Sequence, residues 1–160
     1  MKRVACTVSL VLLVTGCDKI QEKLANKVAE KAVESAGGGP VKIDTSGGET
    51  TLTDPKTGTT VTSGAAVKLP PGWPASVPVY PGATIRNALS TPGAKTATLA
   101  TKDAPAKVTE FYKTKSGLKL ESDIDLGQQH VCVFKNGKGN VTVTVGQAGA
   151  DTMITLAVVD

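Results

Sequence analysis

Beyond residue 83 the chain falls into short strand-like runs of mixed apolar and polar residues, each broken by turn residues. Thr84–Ser90 and Lys95–Thr101 are runs of this kind, and Thr91-Pro92-Gly93-Ala94 between them predicts a tight connection. The period then changes. Ala104, Val108, Phe111, Tyr112 and Lys115 fall on one face at helical spacing, with Asp103 placed as N-cap and Pro105 in the first turn, where its missing N–H costs little. Ser116-Gly117 supplies the stop. Leu118, Leu120, Ser122, Ile124 and Leu126 alternate, predicting a half-buried strand. Gln128–Lys135, Asn140–Gly146 and Thr152–Val159 complete the pattern, with Asn136-Gly137 as a hairpin signal. Strands, one helix and four more strands predict an α+β fold, a small antiparallel sheet with one packed helix in two layers.

Upstream the pattern is weaker. Residues 37–69 form a Gly/Thr-rich linker in which Val41-Lys42-Ile43, Thr50–Thr53 and Thr59–Thr62 read as short strands around the turn-rich Asp54-Pro55-Lys56-Thr57-Gly58. Threonine and valine suit strands, but few large side chains are present for a core, so a short β-hairpin segment is expected here. Next comes LPPGWPASVPVYPGA, which holds five of the nine prolines. Proline fixes φ and excludes a regular helix or central strand. A free linker would be an odd place for the only Trp and one of two Tyr. The expectation is an extended strap whose Trp73, Val79 and Tyr80 pack on the domain that follows, so that the α+β domain runs over 70–160.

Residues 17–36 read differently. After Cys17 the chain runs DKIQ EKLA NKVA EKAV ES, rich in helix formers and stopped by Gly37-Gly38-Gly39-Pro40. Ile20, Leu24, Val28 and Ala32 recur every four residues. On a helix of 3.6 residues per turn that stripe drifts by about 40° per repeat, so it winds around the helix and is no heptad seam. Asp18, Glu22, Glu30 and Glu34 cancel the lysines, which argues against a polybasic lipid-binding segment. Two readings stay open: a spacer helix, or a helix that covers its partly apolar stripe with a partner.

The first residues decide the address. Lys2-Arg3 precede an apolar run from Val4 to Val14, about half of the roughly 20 residues that a spanning helix needs and of a length suited to a signal peptide. The run ends in Val14-Thr15-Gly16-Cys17, which resembles the bacterial lipobox. The resemblance implies that residues 1–16 are a signal peptide cleaved between Gly16 and Cys17, and that the Cys17 thiol carries diacylglycerol, often with a further acyl chain such as palmitate on the new amine. One chain holds a protein only marginally and stable anchoring takes two or more, so a diacylglyceryl cysteine suffices without a transmembrane helix. The expected location is the cell membrane, lipid-anchored and facing the periplasm or cell exterior.

Composition narrows the function. Without Lys2 and Arg3 the chain carries sixteen basic and fourteen acidic residues, too even a balance for a nucleic-acid partner. With Cys6 removed and Cys17 lipidated, Cys132 is alone and has no intrachain disulfide partner. His130 and Cys132 lie two apart on a predicted strand and share a face with Phe134. A Cys–His pair is a potential nucleophile, but i,i+2 tips seldom meet, and neither a second His nor a CxxC completes a usual zinc set. The reading is a buried small thiol, with no catalytic residue and no metal site. Asp123 and Asp125 share a face of another strand and read as solvated. Asn140-Val141-Thr142 matches a glycosylation sequon, which means little in a bacterium. The glycine-rich turns lack the strand–GxxxxGK[ST]–helix setting of a nucleotide site, and no cofactor is expected.

Leu69-Pro70, Trp73-Pro74 and Val77-Pro78-Val79-Tyr80-Pro81-Gly82-Ala83, followed by Phe111-Tyr112 on a helix, resemble a module of uncharacterised bacterial lipoproteins. In that module an LPxxWPxxVPxYPGA-type strap leads into a small α+β domain. The resemblance spans about Val41 to the C-terminus and implies a fold and an envelope location, not an activity. The sequence therefore points to a lipid-anchored, non-enzymatic binding or structural module that meets the membrane through its acyl chains and an envelope protein through the N-terminal helix or the strap. The alternative is an envelope hydrolase or transferase with an unrecognised active site.

Overall fold

The computed structural model describes residues 26–31, 39–137 and 139–160. The signal segment, the lipobox residues Val14, Thr15, Gly16 and Cys17, and most of the N-terminal helix expected over 17–36 lie outside these residues. Within that span 26–31 are helical (α1).

Nine strands form one sheet: β1 Lys42–Ser46, β2 Glu49–Thr53, β3 Thr60–Gly64, β4 Thr84–Thr91, β5 Ala94–Thr101, β6 Lys119–Asp125, β7 Gln129–Asn136, β8 Gly139–Ala148 and β9 Asp151–Val159. The spatial order is β1-β2-β3-β4-β5-β9-β8-β7-β6, and every neighbouring pair is antiparallel. Two meanders thus meet at β5 and β9. Helix α2, Pro105–Lys115, carries the chain from β5 to the far edge, from which β6 to β9 fold back. The short strands expected in the linker exist, but they do not stand apart: β3 pairs with β4, so the small sheet expected from sequence is extended by three strands.

One face of β5, β9, β8 and β7 holds the core. Ala97 and Leu99, Ile154, Leu156 and Val158, Val141, Val143 and Val145, and Cys132 and Phe134 are all buried there, beneath Val108 and Tyr112 of α2. The clean alternation of β8 and β9 is what a sheet with one packed face requires. On the opposite face Thr96, Thr98, Thr142, Thr144 and Thr155 are half-buried.

The proline strap completes the core. Val77 and Tyr80 are buried, and Leu69, Trp73 and Val79 pack against the same cluster. The strap is not simply extended. It folds through three turns, marked by Trp73 N–H to Pro70 O, Val77 N–H to Pro74 O and Ala83 N–H to Tyr80 O at 3.0–3.1 Å. The first and third place Pro at the second position and Gly at the third. Gly72 (φ +70°) and Gly82 (φ +75°) supply the left-handed conformation that such Pro-Gly turns need. The Trp73 indole N–H donates to Val77 O at 3.0 Å, so the ring closes over the middle turn.

Two local expectations are corrected. The N-cap of α2 is Ala104, with no side-chain cap, not Asp103. Asp103 is engaged elsewhere, accepting from the Tyr80 hydroxyl at 2.7 Å and from Lys107 Nζ at 3.0 Å. On β6 the apolar alternation is broken, because the pairing slips by one residue between Leu120 and Ser122. Ile124 and Leu126 are consequently 45% and 63% exposed rather than half-buried.

Candidate functional site

The slip in β6 is a β-bulge at Glu121, and it builds the candidate site. An extra residue in one strand reverses the face of everything beyond it. Leu120 lies opposite Phe134, yet Ser122 rather than Glu121 lies opposite Val133, which brings Asp123 opposite Cys132 and Asp125 opposite His130. Asp123 is thereby turned to the side of the sheet that α2 covers, where Cys132 and Phe134 are already buried.

Asp123 is therefore not simply solvated. Its Oδ2 pairs with Lys113 Nζ from α2, and its Oδ1 lies in short contact with His130 Nε2. The Cys132 thiol, 1% exposed, points at the same Oδ1 from 3.8 Å. The His130, Cys132 and Asp123 ligand atoms all lie within 4.8 Å of one another, although the two strand neighbours alone would not have met. Asp125 stays outside this group. It is exposed, and its Oδ1 accepts the Gly127 N–H at 2.8 Å in the β6–β7 turn.

Electrostatics follow from the geometry. The Lys113 hydrogen bond, then that of His130, holds the Asp123 carboxyl below the usual carboxylate range. The same bond to Asp123 raises the Lys113 ammonium. Burial, reinforced by the Asp123 charge, pushes the Cys132 thiol up to about 11. The cysteine is thus a neutral thiol at ordinary pH, the opposite of an activated nucleophile.

Beside the cluster lies a groove of about 710 Å³ between the first turns of α2 and the β6–β7 turn, lined by Thr109, Glu110, Lys113, Gln129 and His130 among others. His130 opens onto it, whereas Cys132 and Asp123 do not line it. A second depression of about 410 Å³ is formed by Tyr80, Pro81, Asp103, Lys107, Glu110 and Phe111. Its apolar wall is the ring pair Tyr80–Phe111, edge to face with centroids 5.1 Å apart. Lys113 was not legible as a site residue, because a lysine next to Tyr112 on a helix has no sequence signature of its half-buried place. Asn140, of the sequon, receives Lys135 Nζ at 3.2 Å.

No family model matches the chain, and neither a curated protein nor a solved structure matches it.

Proposed function

We propose that this chain is a bacterial cell-envelope lipoprotein whose α+β domain is a non-enzymatic binding or structural module, held at the membrane by acyl chains on Cys17. The observation that carries the proposal is the sequence Val14-Thr15-Gly16-Cys17 after a basic start and an apolar run too short to span. Among the described residues no helix is long and apolar enough to cross a membrane.

The non-enzymatic reading is supported by the state of the one cysteine in the domain. A thiol that is 1% exposed and pushed up to about 11 by burial does not offer a thiolate to a substrate, even with His130 close by. Partner binding is assigned to the N-terminal helix in preference to the strap. The strap commits Trp73, Val79 and Tyr80 to the core, whereas Val28 of α1 is 67% exposed. Asn26 and Glu30 of the same segment hydrogen-bond Thr45 and the Ile43 N–H at 2.8 Å, which ties the helix to the edge strand β1 and leaves Val28 facing solvent.

The test is metabolic labelling with a clickable fatty acid in a bacterial host. The wild-type chain takes up label and runs at the size of a chain beginning at Cys17. Cys17→Ser takes up none and keeps residues 1–16. Acylation of the Cys17→Ser chain would overturn the reading.

A further inference from the structure

We propose that Asp123, His130 and Cys132 form a three-ligand site for a zinc-class divalent ion, with the fourth coordination position opening beside His130 into the groove under α2. The inference is independent of where the chain is anchored. It rests on convergence that the two strands alone do not require: without the bulge at Glu121, Asp123 would face the other side of the sheet. Carboxylate, imidazole and thiol are the three ligand types that zinc uses.

The dimensions fit. Bonds of about 2.0–2.3 Å at tetrahedral angles place neighbouring ligand atoms about 3.3–3.7 Å apart. The Cys132 Sγ and Asp123 Oδ1 are already 3.8 Å apart, and all three ligand atoms lie within 4.8 Å of each other. To admit an ion, His130 Nε2 must withdraw from its short contact with Asp123 Oδ1 and the three ligand atoms must close by up to about an ångström. The His130 side chain is 23% exposed on the groove wall.

The surroundings supply the rest of what such a site needs. Lys113 holds Asp123 Oδ2 and leaves Oδ1 for the ion, which fixes the carboxylate as outer-shell partners do. Cys132 brings its sulfur from the dry side, within a core of Phe134 and Val143, and so shields the bond from exchange. Binding displaces the thiol proton to solvent, giving thiolate and carboxylate against a doubly charged ion. Three protein ligands and one open position mark a site that takes a water or a small donor from the groove, where Glu110 and Gln129 also stand.

The experiment uses the full chain, purified in mild detergent and stripped with chelator, then titrated with Co²⁺ as a spectroscopic stand-in for zinc. The expected result is saturation at one equivalent, with a thiolate-to-cobalt charge-transfer band in the near ultraviolet, tetrahedral bands in the visible, and bleaching of both by equimolar Zn²⁺. Cys132→Ser loses the charge-transfer band. Because Cys132 is a core residue, His130→Ala is the second variant: it is half-exposed, leaves the circular dichroism unchanged, and weakens cobalt binding at least about tenfold. No charge-transfer band in the wild-type chain, a band that persists in Cys132→Ser, or unchanged affinity in His130→Ala would each overturn the proposal.

Discussion

Replacing Tyr80 tests whether the proline strap is a structural part of the domain or an attached segment. The ring is 4% exposed, sits edge to face on Phe111 at 5.1 Å and lies 6.5 Å from Tyr112, while its hydroxyl donates to Asp103 at 2.7 Å. Tyr80→Phe removes only the hydrogen bond. Its partner carboxylate is 38% exposed and recovers water, so the loss belongs near the neutral range, about 1 kcal/mol. Tyr80→Ala also removes the ring from the core, which costs about 3–5 kcal/mol for a buried aromatic. Domains are commonly stable by only about 5–15 kcal/mol, so this is a large fraction. The assay is urea unfolding of the full chain in detergent, followed by Trp73 fluorescence and by circular dichroism. The reasoning requires a clear loss for Tyr80→Ala, at least twice that of Tyr80→Phe, at an unchanged denaturant slope. A Tyr80→Ala midpoint within error of wild type would refute it, because it would mean that the strap contributes nothing that the sheet and helix need.

Three further outcomes follow from the burial and packing of single residues. Cys132 should react slowly with a polar thiol reagent in the folded, metal-free chain and fast in denaturant, as its 1% exposure demands; equal rates would place the thiol at the surface. Alkali should destabilise the domain between about pH 9 and 12. Burial raises Cys132 from 9.0 to about 11 and Tyr80 from 10.0 to about 12, so the folded state keeps protons that the unfolded chain has lost, and unfolding midpoints that stay flat across that window would contradict this. Gly139→Ala should destabilise the β8–β9 end by about 1–3 kcal/mol, since an added Cβ would stand 1.9 Å from the Val159 carbonyl oxygen, and a neutral thermal midpoint would refute that contact.

Much of the domain is legible in the sequence because its strands obey one rule over long stretches. Asn140–Gly146 alternates without a break and Thr152–Val159 is a run rich in β-branched and apolar residues, and both appear as β8 and β9 with their buried valines, isoleucine and leucine on one face. The helix is legible for a similar reason, with Pro105 at its start and Val108 and Tyr112 one turn apart on its buried face. The extent of the sheet is less so. β1 to β3 have almost no large apolar side chains, and their place comes from hydrogen-bond register with β4, a long-range property that local pattern does not encode. Asp103 misleads for another reason. A carboxylate before a helix fits the capping rule, but the Tyr80 hydroxyl, 23 residues away, reaches it first.

The cluster at Asp123 shows how one backbone irregularity converts a surface pattern into a site. Read as a regular strand, residues 118–126 put Leu118, Leu120, Ser122, Ile124 and Leu126 inside and the two aspartates outside. The bulge at Glu121 costs the domain that apolar face, since Ile124 and Leu126 end exposed. The hydrophobic effect alone favours the regular strand, at about 1.5–3 kcal/mol for each large apolar side chain fully buried. What the bulged register gains instead is Asp123 beside Cys132, held by Lys113 of α2 and by His130. A partly exposed carboxylate–lysine pair contributes at most about 1 kcal/mol. Stability alone does not single out the bulged register at this edge strand, where even Leu120, opposite Phe134, is 37% exposed. What the bulge does add is the assembled carboxylate, imidazole and thiol, and that convergence is the physical ground for seeking a ligand at Asp123, His130 and Cys132.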